Sequence, residues 1–122
     1  MQTVAELRAA CGRLACSQET FPFGPTTLVW KVGGKVYALS GITGDPLKLS
    51  LKVRPAHGDG LRAAHAAIVP GYHLNKRHWV TLTLDGSLPD ALVGELLAVS
   101  HALVVAGLTR AARAELGLIS EP

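Results

Sequence analysis

The spacing of apolar positions changes repeatedly along the chain, and each change predicts an element. Over residues 3–14, Val4, Leu7, Ala10 or Cys11, and Leu14 recur at helical intervals, with Thr3 as N-cap and Glu6 three residues later in a capping-box pattern. Residues 19–25 carry Pro22, Gly24 and Pro25 and read as a loop. Residues 26–32 are rich in β-branched side chains and predict a strand. Gly33-Gly34 turns it, because a two-residue primed turn needs positive φ at both positions, and residues 35–42 return as its partner. After a turn at 43–46, Leu47, Leu49, Leu51 and Val53 alternate with Lys48, Ser50, Lys52 and Arg54. That is a half-buried strand with a basic outer face, its cations set at about 7 Å steps, near the spacing of nucleic-acid phosphates. Pro55 ends it, and Asp59 is placed to cap a short helix to about Ala67, with Arg62 and His65 outward. In residues 78–84, Val80, Leu82 and Leu84 face the core and alternate with Trp79, Thr81 and Thr83. Ser87 is expected to cap the last long helix, with Leu88, Leu92, Leu96, Val99 and Leu103 as its stripe and Asp90 suited to its dipole. Gly107 ends that helix, residues 109–116 add a short one, and residues 117–122 are expected to fray.

The predicted order is α-β-β-β-α-β-α: one α+β domain, an antiparallel sheet with helices on one face and the other face open. A length of 122 residues fits a single core, and a hydrophobic share of 48% excludes a disordered chain. Glu6 and Arg8 in the first turns argue against a signal peptide. The apolar run over 96–108 contains Ser100 and His101 and is shorter than the roughly 20 residues a spanning helix needs, so it reads as a buried helix and the expected compartment is the cytoplasm. His101 is expected to be a packed or solvent-edge histidine. Cys11 and Cys16, five apart near a helix, point to different sides and are expected to be reduced and structural.

Charge changes this picture. Between residues 31 and 78 the cations are Lys31, Lys35, Lys48, Lys52, Arg54, Arg62, Lys76 and Arg77 and the anions Asp45 and Asp59, so 8 − 2 gives +6; the remainder, four arginines against seven acids, gives −3. The middle of the chain is therefore basic enough to attract a polyanion, although a face kept soluble by lysines has the same composition.

Functional side chains are densest in Pro70-Gly71-Tyr72-His73-Leu74-Asn75-Lys76-Arg77-His78-Trp79, a Pro-Gly loop feeding a strand. This run, followed by Leu84-Asp85-Gly86-Ser87-Leu88-Pro89-Asp90, resembles the signature of the MmcQ/YjbR family of small bacterial proteins, and Glu19-Thr20-Phe21-Pro22-Phe23-Gly24 and Lys31-Val32-Gly33-Gly34-Lys35 agree with it. The resemblance covers roughly residues 3–116. It implies a frataxin-like CyaY architecture of the double-wing type and DNA binding.

The residues themselves divide the chemistry. No serine, histidine and acid stand in nucleophile context and no paired carboxylates mark a cleft, so no enzyme is expected, although His73 and His78 are of a residue type able to act as acid or base. Those two histidines lack a third ligand nearby, so no metal or other cofactor is expected. A DNA-binding surface would use Lys31 and Lys35 beside the Gly-Gly wing, the stripe Lys48, Lys52 and Arg54, and the loop residues His73, Lys76, Arg77 and His78 for phosphates. Asn75 and Arg77 are able to read base edges. Tyr72 and Trp79 would stack, or else cover the core, with Asn75 then merely turning the loop. Phe21 and Phe23 are expected to plug the core, the other reading being an aromatic wall beside a ligand, and Glu19 is placed to hold a cation of the loop. The alternative function is a module for a small anion, a nucleotide or an acidic protein, built on the same loop. A monomer without membrane contact is expected.

Overall fold

The computed structural model describes residues 1–72 and 74–118. Its ten elements are α1 (Val4–Gly12), β1 (Gln18–Thr20), β2 (Thr27–Val32), β3 (Lys35–Gly41), β4 (Leu47–Lys52), α2 (Pro55–Ala64), β5 (Ile68–Pro70), β6 (Trp79–Leu84), α3 (Asp90–Gly107) and α4 (Arg110–Glu115). The strands form one antiparallel sheet in the order β1-β2-β3-β4-β6-β5. The predicted α+β plan holds, with helices on one face. β1 and β5 are additions to the predicted order: each is a three-residue edge, too short to show a period of two.

The alternation in β4 and β6 places Leu47, Leu49, Leu51, Val80, Leu82 and Leu84 on the helix side, all buried. α3 covers them, packing against β3 and β4 with Val93, Leu96, Leu97 and Val104 buried. α3 is long and apolar enough by composition to cross a membrane, but here those side chains build the core. The expected capping box is present: Thr3 Oγ1 accepts from the Glu6 N–H at 3.2 Å, and Glu6 Oε1 accepts from the Gln2 N–H at 3.1 Å, which, with the Thr3 hydroxyl, holds its carboxyl below the usual range. Ser87 does not cap α3. Its N–H goes to Asp85 Oδ1 in the preceding turn, and α3 starts after Pro89. Likewise Asp59 lies inside α2, which begins at Pro55 because proline suits the first helical position. Leu118, expected in the frayed tail, donates its N–H to Arg113 O and packs on the core; residues 119–122 lie outside the described residues.

Ser100 sits where β3 and β4 part. Their ladder ends at Ala38 and Leu51, and beyond it Ser100 Oγ accepts from the Lys52 N–H at 2.8 Å and donates to Tyr37 O at 2.6 Å. A bulge in the β2–β3 register leaves Tyr37 as the extra residue, its ring edge-on to His101 at 5.3 Å. His101 is packed, as expected, with Nε2 2.7 Å from Ala15 O. Burial pushes the Tyr37 hydroxyl far above the ordinary phenol range, and burial raises the Cys11 thiol to about 11. At pH 8 about one Cys11 in a thousand is thiolate. Iodoacetamide should therefore alkylate exposed Cys16 first in the folded protein and both cysteines in urea, followed by peptide mass spectrometry. Equal native rates would show that Cys11 is not sealed.

Candidate nucleic-acid interface

Strand register builds the face opposite the helices in three rows, because cross-strand partners point the same way. The central row crosses all six strands: Thr20, Val29, Leu39, Ser50, Thr81 and Val69. On its side toward residues 71–78 lie Gln18, Lys31 and Val36, then Lys52 beside Trp79. On its other side lie Thr27 and Gly41, then Lys48 beside Thr83. Cations thus flank a row of small and apolar side chains.

The part of that row from Leu39 to Val69 is the floor of a groove of about 820 Å³. Leu39, Ser50 and Thr81 line it, with Phe23 from the β1–β2 loop at one end, Tyr72 and Leu74 from the β5–β6 loop at the other, and Lys48 at its edge. From β2 to β5 the groove crosses four strand spacings, about 19 Å. Ser50 Oγ and Thr81 Oγ1 are hydrogen-bonded at 2.8 Å, and Thr81 Oγ1 also accepts the Tyr72 N–H at 3.0 Å, which draws the loop over the sheet. Lys48 Nζ donates to Thr83 Oγ1 at 3.3 Å.

Several expectations change here. Phe21 and Phe23 do not plug the core: they are 42% and 71% exposed, and Phe23 walls the groove. The sequence does not show this, since a loop aromatic carries no periodic signal of its direction. Tyr72, 70% exposed, is likewise no core cover. Asn75 turns the loop. Its Oδ1 accepts from the Arg77 N–H at 2.9 Å and its carbonyl from the N–H groups of His78 and Trp79, so its side chain is committed to the backbone. Lys76 Nζ reaches back to Gly71 O at 3.2 Å, and Arg62, which sequence reasoning left aside, links Asp59 to the Lys76 carbonyl. Glu19 holds Arg8 at 3.0 Å and not a loop cation.

The basic stripe is also shorter than expected. β4 ends at Lys52, and Arg54 becomes the N-cap of α2. Lys48 and Lys52 are separated by Ser50, so they stand about 13 Å apart, not 7 Å. The Gly33-Gly34 turn has the expected positive φ of 58° and 77°. It is no free wing: a Cβ at Gly33 would lie 2.7 Å from Leu108, which packs beneath it. Lys31 faces the open side, while Lys35 pairs with Val32 at the turn, in register with the helix-side residues. Arg77 and His78 are exposed and Trp79 is half-buried. His73 lies outside the described residues. Among the described residues no ion pair engages Lys31, Lys48, Lys52, Arg54 or Arg77, and no group of three His, Cys, Asp or Glu is placed to hold a metal.

The model of the YjbR family matches residues 13–103, most of the chain. The chain belongs to the YjbR family. Among YjbR-family relatives it is 37% identical over 91 residues to the uncharacterized protein YbdF of Escherichia coli O157:H7, spanning 74% of each chain. It is 45% identical over 53 residues to the uncharacterized protein YjbR of Escherichia coli K12, spanning 43% of this chain and 45% of that one. The crystal structure of Deinococcus radiodurans DR2400, a DUF419 domain, superposes with a TM-score of 0.92 at 56% identity, over 100% of this chain and 93% of that one. A Pseudomonas syringae protein superposes with a TM-score of 0.71 at 28% identity, over 83% and 97%. In this YjbR-family chain, the 19–24 and 70–79 stretches, distant in sequence, contribute the two walls of one groove.

Proposed function

We propose that the protein binds nucleic acid, without chemistry on it, through the open sheet face and the 71–78 loop. The observation that carries this reading is the pair of cation-bearing rows, with Lys31, Lys48 and Lys52 on the uncovered face and Arg54 and Arg77 exposed near it, none of them in an ion pair among the described residues. Like charges held together on one face repel, and a polyanion relieves that cost while releasing its own counterions. Asn75 is spent on the loop and the cations stand on a broad face, so binding has little sequence preference.

The test is fluorescence anisotropy of a labelled DNA across a salt series. Contact with about four phosphates gives a log–log salt slope of about −3 to −4. Lys52→Ala with Arg77→Ala removes two contacts, so the slope should flatten by about 2 and affinity at low salt fall at least about tenfold. A variant indistinguishable from the parent would remove these residues from the interface. Absence of binding to any DNA or RNA at low salt would refute the proposal.

A further inference from the structure

The groove across the open face asks for more than a phosphate backbone. Its walls are Phe23 and Tyr72, two aromatic rings that spend little of their surface in the core, and its floor is Leu39 with the Ser50–Thr81 hydroxyl pair. Aromatic faces above a mainly apolar floor with one hydroxyl pair suit a flat heterocycle with hydrogen-bonding edges. The flanking rows supply cations on both sides: Lys48 on one, Lys31 and Lys52 on the other. We infer that the groove between Phe23 and Tyr72 takes the unpaired bases of a single-stranded nucleic acid, stacking them on these rings while the flanking lysines hold the adjoining phosphates. The inference rests on the polyanion reading above and narrows its ligand.

Stacking decides between single strand and duplex. In a duplex the faces of the bases are covered by their neighbours, so a helix laid on the sheet offers phosphates to the lysines but no π-face to the rings. A single strand offers both, and such surfaces combine a charged track with aromatic platforms. At about 19 Å across, the groove has room for a few nucleotides and not for a single base alone. Its hydroxyl floor accepts and donates, so no base is strongly preferred.

The test compares three labelled ligands of about twelve nucleotides: oligo-thymidine, an abasic strand of equal phosphate count, and a duplex. The inference expects oligo-thymidine to bind about tenfold or more tighter than the abasic strand with a similar salt slope. Phe23→Ala with Tyr72→Ala should erase that difference, bringing oligo-thymidine binding down to that of the abasic strand. Both rings are exposed, and an unchanged circular dichroism melt establishes that the variant folds. An oligo-uridine arm separates RNA from DNA as the source of the strand, and tighter binding of either than of the abasic strand supports the inference. Equal binding of oligo-thymidine, oligo-uridine, abasic strand and duplex would overturn the inference and leave the polyanion reading standing. No binding of any of these ligands, oligo-uridine included, would overturn both. Thymidine monophosphate competing as well as the oligomer would overturn it in favour of a free-nucleotide site.

Discussion

Ser100→Ala is expected to destabilise the protein by about 2–4 kcal/mol, a large loss for the removal of one oxygen. Ser100 is fully buried and its hydroxyl serves two backbone groups at once, the Lys52 N–H and the Tyr37 carbonyl. The strands have already parted there, so neither group has a ladder partner to return to. A buried polar group left unpaired costs about 1–3 kcal/mol, and here there are two. Urea denaturation measures it, and the thermal midpoint should fall by about 10 °C. His101→Phe next to it should cost less: it also removes one hydrogen bond, but Ala15 is exposed and its carbonyl can turn to water. A Ser100→Ala variant as stable as the parent would mean that water fills the fork between β3 and β4.

Gly71→Ala should damage stability and binding together. A Cβ at this position would lie 2.7 Å from Trp79 Cβ and 3.1 Å from Trp79 O, and the backbone atoms on that side cannot rotate away. Relief requires the loop to lift, which breaks the Gly71 N–H to Trp79 O bond of 2.9 Å and withdraws the carbonyl that Lys76 holds. Overpacking of this kind costs about 1–3 kcal/mol. Since the same loop carries Tyr72 and Arg77, affinity for DNA should fall as well, by about tenfold or more in the anisotropy assay. Gly34→Ala is the contrast. Its φ of 77° makes alanine strained by about 1–2 kcal/mol, but nothing lies within 4 Å of the new methyl and DNA affinity should hold. Equal effects of the two substitutions on DNA affinity would mean that the 71–78 loop is not special to the interface.

What could be read beforehand depended on how far each signal repeats. The leucines of β4 and the Val80, Leu82, Leu84 series repeat often enough to set strand, face and register sense, and the structure agrees with them residue by residue. β1 is Gln18-Glu19-Thr20 and β5 ends in a proline, so neither shows a pattern, and both are strands only because a longer neighbour offers its edge. For the candidate site, composition located the excess of cations between residues 31 and 78. It was blind to what the backbone would claim first: the amide of Asn75, the ammonium of Lys76 and the guanidinium of Arg62 are all drawn into holding the loop. The direction of Phe23 was equally hidden, since a non-repeating aromatic between prolines has the same sequence whether it turns inward or outward.

The two short border strands have a further effect. An open sheet normally leaves a row of unpaired N–H and C=O groups along each margin, on which another chain can grow into a fibril. Here one margin is three residues long and carries Glu19, and the other is three residues long and closes on Pro70, which has no N–H to give. A sheet that leaves one whole face uncovered is thereby kept from recruiting strands at its sides, so molecules can be concentrated without seeding aggregates of one another.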